Sequence, residues 1–299
     1  MRLERRITIS KLDAGPKGTI VVTGVSSGIG LATAKRLVGS GFRVFGSVRK
    51  QQDSDRTAKE LGPLFTPLMF DLRDEDSIRR AAGVVSMELD RTKLMGLVNN
   101  AGSGVPGPLL YQKIVDFRRQ FEINVFGQLA VIQAFAPLLG ADASRVGKPG
   151  RIVMLSSVVG KYTLPFMAAY GSSKHAIEGM SEALRRELML FGIDVVIIAP
   201  GMVNSSFGDN LRKEDVTPYL NTPYRASLMK FGPMMANKKA LPPERIAESI
   251  HHALTTRKPR VRYTVAPSYL RDWVLPTRLP KRLIDHRIAK QLGLEYRAD

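Results

Sequence analysis

Between residues 19 and 200, short apolar runs alternate with longer segments in which apolar residues return every three or four positions. The short runs predict strands at 19–24, 42–48, 66–71, 95–99, 151–156 and 193–199. The segments between them have the helical period and are long enough for several turns. One of them, 116–139, carries Phe117, Phe121, Val125, Leu129, Ile132 and Phe135 as a stripe. That stripe reads as core or subunit contact. A helix over 244–256 and a last strand over 261–266 complete the pattern. Strand–helix alternation predicts an α/β domain with a parallel sheet and helices on both faces.

Two stretches break the alternation. Residues 202–243 hold Met202, Met229, Met234, Met235, Phe207, Tyr219, Tyr224 and Phe231 among several prolines, and regular structure is poorly specified there. Long irregular apolar segments are commonly lids or binding loops, and methionine adapts to varied apolar shapes. The second stretch is basic: 257–299 has 11 Lys/Arg against 4 Asp/Glu. Within it Leu279, Leu283, Ile284, Ile288 and Leu292 fall near helical spacing, with Pro280 early in the run and Trp273 and Leu275 before it. A basic amphipathic helix can lie on an anionic membrane. The favoured alternative packs the stripe on the rim of a pocket or on another subunit.

Composition narrows the function. The 299 residues suit one large α/β domain or two small ones, and no low-complexity linker divides them. Cysteine is absent, which excludes disulfides, thiolate metal sites and cysteine nucleophiles. His175, His251, His252 and His286 show no metal-ligand spacing with carboxylates, so no metal is expected. No run of about 18 apolar residues exists, so no membrane span is expected. The start, MRLERRITIS, lacks the apolar region of a secretory signal. The expected location is cytoplasmic, with peripheral membrane contact through 268–299 as a further option. A net charge of +18 suits anionic partners such as a phosphorylated cofactor. Charge alone does not make a nucleic-acid partner, and no recognition helix, zinc finger or stacking array is visible.

The chemistry centres on Tyr170 and Lys174, in AAYGSSKHAIEG. Residues i and i+4 share a helix face, so an ammonium lies one turn from a phenol. A cation there favours phenolate and predicts a Tyr170 pKa below the ordinary ~10. Upstream, Thr23 to Gly30 reads TGVSSGIG between an apolar run, Thr19 to Val22, and an amphipathic segment. A strand, a glycine turn and a helix start allow a pyrophosphate to rest on free N–H groups and the helix dipole. Gly24, Gly28 and Gly30 have the spacing G-x3-G-x-G rather than G-x-G-x-x-G.

Two more motifs follow in order. Asn99-Asn100-Ala101-Gly102 comes after Leu97 and Val98, and Pro200-Gly201 comes after Val195 to Ile198. Together the four motifs resemble the classical short-chain dehydrogenase/reductase family over roughly residues 18 to 265. Within it, the RVFGSVRK strand and the segment from Ser157 to Phe166 look most like the branch holding 17β-hydroxysteroid and retinol dehydrogenases. The resemblance implies an α/β fold with a doubly wound Rossmann-type parallel sheet flanked by helices. It implies one catalytic domain over 18–267 after an N-terminal arm, 1–17. Residues 202–243 would be the substrate-binding lid and 268–299 a basic amphipathic C-terminal extension.

By resemblance the catalytic residues are Asn124, Ser157, Tyr170 and Lys174. Tyr170 would exchange a proton with the substrate oxygen, and Ser157 would hold the same oxygen. Ser156 competes for that role, but strand alternation points it to the other side. Lys174 would lower the Tyr170 pKa and bind the nicotinamide ribose, and Asn124 would hold a water in a relay to Lys174. Cofactor contacts are implied for Gly24, Ser26, Ser27, Gly28, Ile29, Gly30, Asn99, Ala101, Tyr170, Lys174, Pro200, Gly201 and Val203, with Asp71 on the adenine amine.

Cofactor choice is read at the end of the second strand. NAD-preferring relatives place an acidic residue there, whereas this chain has Val48, Arg49 and Lys50. A guanidinium binds a 2′-phosphate that a carboxylate would repel, so NADP(H) is expected over NAD(H). The position before the middle glycine, often basic in NADP-dependent relatives, is Ser27.

The resulting expectation is interconversion of a lipophilic ketone or aldehyde, steroid- or retinoid-like, and its alcohol. A 3-ketoacyl or other lipid-chain reductase is the second reading. A reading of another class is a non-catalytic dinucleotide sensor recruited to membranes. Relatives pair through the helices at about 116–139 and 170–191, so a homodimer or homotetramer is implied.

Overall fold

The computed structural model describes residues 15–208 and 215–296. Expectations for 1–14, for 209–214 within the lid and for 297–299 lie outside the described residues. The strands are β1 (Thr19–Val22), β2 (Arg43–Val48), β3 (Phe65–Met69), β4 (Gly96–Asn99), β5 (Arg151–Leu155), β6 (Asp194–Pro200) and β7 (Arg262–Val265). They form one sheet in the order β3-β2-β1-β4-β5-β6-β7, every neighbouring pair parallel.

Parallel strands are buried on both faces, which explains runs such as Thr19-Ile20-Val21-Val22. Side chains alternate between the two faces. Ile20 and Val22 pack with Leu37, Ile246, Ile250 and Leu254, while Val21 packs with Ile78, Val131 and Phe135 on the other side. β5 repeats the split, with Ile152 and Met154 on one face and Val153 and Leu155 on the other. Each fully buried aliphatic or phenyl group contributes about 1.5–3 kcal/mol. The first face is covered by α1 (Gly28–Gly39), α2 (Gln51–Leu61) and the helix Pro243–Thr255. The second is covered by α3 (Glu75–Leu89), the helical run Ile114–Ala141 and α6 (Ala168–Glu187). Pro67 interrupts β3, and it is tolerated because β3 is an edge strand whose outer side needs no ladder partner.

The run Ile114–Ala141 is not a uniform helix. It comprises α4 (Ile114–Phe121), a π-turn at Glu122–Phe126, α5 (Gly127–Ala136) and a second π-turn at Pro137–Ala141. Contrary to the sequence expectation, it is long and apolar enough by length and composition to cross a membrane. Half of its most apolar window is buried within the fold, where Val131, Ile132 and Phe135 pack on the sheet.

Residues 202–243 also correct the expectation of an irregular segment, because Arg225–Ala236 is a helix. Pro233 lies inside it, a defect worth about 3 kcal/mol. Burial of Leu228 and Phe231 offsets that cost at about 1.5–3 kcal/mol each. These two residues join Phe166, Met167, Tyr219 and Leu292 in a third apolar cluster. Leu292 comes from the C-terminal helix Lys281–Leu292, which ends at Gly293 in the left-handed region, φ 71°. Ile288 packs on the same cluster, whereas Leu283 stays exposed. The apolar stripe of 268–299 is thus partly spent against the helix Arg225–Ala236, and Ser227 Oγ donates to Gly293 O at 3.4 Å.

Candidate active site

The sheet order reverses between β1 and β4, and open α/β sheets bind ligands at the carboxyl ends of strands flanking such a point. Here the turn after β1 is pinned from both neighbours. Gly24 N donates to Ser47 Oγ at 2.8 Å, from the end of β2. Asn100, just past β4, donates from Nδ2 to Thr23 O at 2.8 Å and to Gly24 O at 3.3 Å. Thr23 Oγ1 in turn accepts from the backbone N–H of Asn100 and Ala101, both at 2.9 Å. Gly24 has φ 71°, and a Cβ on Gly30 would lie 2.0 Å from Gly24 O. Neither position accepts a side chain without moving backbone. α1 starts at Gly28 with no side-chain cap and no acidic residue in its first turn. Its N–H groups and positive dipole end are therefore available to an anion.

This turn forms one wall of a cavity of about 710 Å³. Gly24, Ser26, Ser27, Gly28, Ile29, Gly30, Arg49, Asp71, Ala101, Pro200, Gly201 and Val203 line it, as do Ser157, Tyr170 and Lys174. Asn99 does not line it. Its Nδ2 donates inward to Gln128 O at 2.9 Å, while Gln128 Nε2 donates to Ala101 O at 2.9 Å. Asn99 therefore supports the wall from behind, and the adjacent Asn100 faces the cavity. Alternation along the strand separates the two, and only the sheet neighbours decide which one faces in.

Asp71 is less free than expected. Arg73 holds it through Nε at 3.0 Å, Nη2 at 2.9 Å and its backbone N–H at 2.9 Å. Those bonds, the Arg73 side chain first, keep the Asp71 carboxyl below the usual carboxylate range, and Arg49 adds to the effect. A carboxylate has about four acceptor positions, so room for another donor remains. Arg49 itself is exposed and makes no side-chain hydrogen bond or ion pair among the described residues. With Arg73 beside Asp71, this end of the cavity carries two cations against one anion.

The reactive groups meet at the other end. Ser157 follows β5; its Oγ donates to Pro200 O at 3.3 Å and accepts from Val159 N at 3.3 Å. Ser156 turns away and donates to Glu178 Oε1 at 2.6 Å. Tyr170, near the start of α6, hydrogen-bonds Ser157 and packs its ring on Phe207 at 5.2 Å between centroids. Lys174 Nζ lies 5.8 Å from the Tyr170 ring centroid and donates to Leu155 O at 2.7 Å. Asn124 sits in the first π-turn, fully buried. It donates to Ser103 O and Ser173 Oγ, both at 3.0 Å, and accepts from Ser103 N at 2.8 Å. Its Oδ1 also bounds the space above Gly102 that Lys174 Nζ approaches.

The proton affinities differ from the sequence expectation. Burial pushes the Tyr170 phenol up to about 12, and its hydrogen bond with Ser157 only partly offsets it. Burial also lowers the Lys174 amine from 10.5 to about 8, with Glu178 pulling it back up. The expected lowering of Tyr170 by Lys174 is not present. Removal from water dominates both groups.

Glu178 was not singled out in the sequence. It lies one turn beyond Lys174 on the same face, is 2% exposed, and meets Arg262 Nη2 at 3.2 Å and Lys161 Nζ at 3.6 Å. Arg262 also bonds Thr264 Oγ1 and lies 4.1 Å from the Trp273 ring centroid. An acidic residue on the inward stripe of a helix was the readable signal. Phe166 adds a local anomaly: it is buried with φ 65°, and its carbonyl accepts from Gly107 N at 2.8 Å. A bulky residue there is strained, and such strain concentrates beside binding sites.

Comparison with known proteins agrees with this geometry. A family model described as short chain dehydrogenase matches residues 18–216. The NADPH-dependent 3-dehydrocapnine reductase of Ornithobacterium rhinotracheale is 35% identical over 274 residues, covering 91% of this chain and 96% of the relative. Retinol dehydrogenase 7 of Rattus norvegicus is 30% identical over 282 residues, covering 89% of this chain and 87% of that protein. The crystal structure of a short-chain dehydrogenase from Streptomyces avermitilis superposes with a TM-score of 0.75 at 24% identity, covering 95% of this chain and all of that one. The chain belongs to the short-chain dehydrogenase/reductase family and is an oxidoreductase, with likeness to the retinol dehydrogenase branch.

Two stability measurements test the electrostatics. An amine lowered from 10.5 to about 8 costs on the order of 3 kcal/mol at pH 7, because the unfolded chain holds that proton more tightly. The cost is present below pH 8 and fades as pH rises toward 10.5, where the unfolded lysine also loses its proton. Lys174→Met should therefore raise Tm by roughly 5 °C at pH 7, and the gain should shrink by pH 10; a pH-independent difference would contradict this. Glu178→Gln leaves Arg262 unpaired and should cost about 2 kcal/mol or more in urea unfolding. Adding Arg262→Met should recover most of the loss.

Proposed function

We propose that this protein is an NADP(H)-dependent reductase of lipophilic ketones or aldehydes, with Tyr170 as the proton donor. The observation that carries the reading is the convergence of Ser157, Tyr170 and Lys174 in one cavity with the uncapped glycine turn. The dinucleotide, when bound, would supply or accept the hydride. Ser26 to Gly30 fit its pyrophosphate, because this backbone tolerates close approach and has no side-chain cap. Arg49 and Arg73 fit a 2′-phosphate, and the NADPH-dependence named for the relative supports the choice. Pro200, Gly201 and Val203 would flank the nicotinamide end.

Ser157 would donate its hydroxyl hydrogen to the carbonyl oxygen. Tyr170 would deliver the proton to that same oxygen as negative charge develops. A phenol raised to about 12 is protonated at neutral pH, the state a proton donor to the developing alkoxide requires. Lys174 would bind the ribose hydroxyls, and Asn124 would hold the water that resupplies its proton. Leu164, Met167, Met202, Phe207 and Met235 give the substrate end an apolar wall. Residues 202–243 would act as the lid and 268–296 as its backing. Exposed Ile114, Val115 and Phe126 support assembly as a homodimer or homotetramer through the α4–α5 run.

NADPH consumption against steroid ketones, retinal, aliphatic ketones and acyl thioesters is the direct test. Tyr170→Phe should lower kcat by about 10²–10⁴ while NADPH binding survives. Turnover that persists in this variant would remove Tyr170 from the chemistry. Arg49→Ala should weaken NADPH by about tenfold to a hundredfold and leave NADH nearly unchanged; equal losses would refute the cofactor assignment.

A further inference from the structure

We propose that the substrate carries an anionic group, a carboxylate, sulfonate or phosphate, remote from its carbonyl, and that Lys238 with Lys239 and Arg271 receives it. This inference rests on the carbonyl-reductase reading and adds the chemical class of the substrate.

The cavity that holds Tyr170 does not end on an apolar surface. Its far margin is formed by the residues after the helix Arg225–Ala236 and by the first turn of the C-terminal segment, and there it meets Lys238, Lys239 and Arg271. Two carboxylates, Asp272 and Asp215, share this margin. Both are already engaged. Asp272 holds Arg271 Nε at 2.9 Å and accepts from Ser268 N at 3.0 Å. Asp215 accepts from Thr217 N at 2.9 Å.

Lys238 remains. It is half-buried, and its ammonium makes no hydrogen bond or ion pair among the described residues. Burial lowers its amine from the ordinary lysine value, and the nearby Asp272 only partly restores it. A lysine with a purely solubilising role extends its head group into water. This one loses hydration beside Met235 without gaining a hydrogen bond or ion pair among the described residues, which costs stability unless an anion compensates. With Arg271 paired to Asp272, the three cations still outnumber the two carboxylates by one, and Lys239 supplies a second ammonium at this margin. Leu164, Met167 and Met235 line the same cavity and give it apolar surface between its polar groups. A molecule matching the part of the cavity left beside the dinucleotide therefore has a carbonyl for Tyr170, a hydrocarbon segment, and an anion for Lys238.

The test uses the full chain with NADPH and a ladder of straight-chain methyl-keto acids of six, eight and ten carbons, each paired with its methyl ester. For at least one length the acid should show a KM about tenfold below its ester. Lys238→Met should lower the acid-to-ester ratio of kcat/KM about tenfold, and Lys238→Arg should restore it. Equal KM values for acid and ester at every length would overturn the anion site and leave the reductase reading intact. So would a Lys238→Met ratio unchanged from wild type. Failure to reduce any acid or ester by an enzyme that turns over a neutral steroid ketone, retinal or aliphatic ketone would overturn this inference alone; failure on both sets would overturn the reductase reading with it.

Discussion

The desolvation of one amine organises the active end of this protein. Lys174 is 4% exposed, and an isolated charge at that depth would be far too costly to keep. Several features answer the problem together. Leu155 O, at the end of β5, accepts from the ammonium, and Glu178 supplies the opposite charge one turn along α6. Glu178 is itself held by Ser156, Arg262 and Lys161. The network reaches β7 through Arg262 and the C-terminal segment through Trp273. What looks like a local catalytic pair is anchored in elements from the middle of the sheet to its edge.

Much of this was legible in the sequence because it follows from chain periodicity. Buried parallel strands read as short apolar runs, and each was placed within a residue or two of its observed span. The glycine turn was legible because Gly24 and Gly30 sit where backbone meets backbone, a constraint local to a few residues. The spacing of Tyr170 and Lys174 was legible for the same reason. What escaped depends on contacts across the sheet. Asn99 and Asn100 are identical residues side by side, and their different surroundings come from α5 and the β1 turn. Proton affinities escaped because spacing on a helix reports proximity and says nothing of lost water. The helix Arg225–Ala236 escaped because its proline and methionines resemble a loop until the aromatic cluster beneath it is known.

The C-terminal segment gains a different meaning from its contacts. Its basic composition suggested a surface arm. In the fold, Leu292 and Ile288 pack beneath the helix Arg225–Ala236, and Tyr162 Oη donates to Asp272 O at 2.8 Å. The segment thus joins the loop after β5 to the region that follows β6. It shapes the far side of the cavity, whereas the dinucleotide groove is built from the first half of the sheet. One cavity consequently draws on distant parts of the chain.

The π-turn at Glu122–Phe126 carries a consequence of its own. A π-turn holds one residue more than the α pitch can absorb, and here the surplus lets Asn124 sit buried between Ser103 and Ser173. Loss of a single codon in this stretch would restore an unbroken α-helix with a regular hydrogen-bond ladder. Such a deletion would rotate Asn124 away from Ser103 and Ser173. One residue of chain length in this stretch therefore decides where Asn124 points, independently of the packing on either side of it.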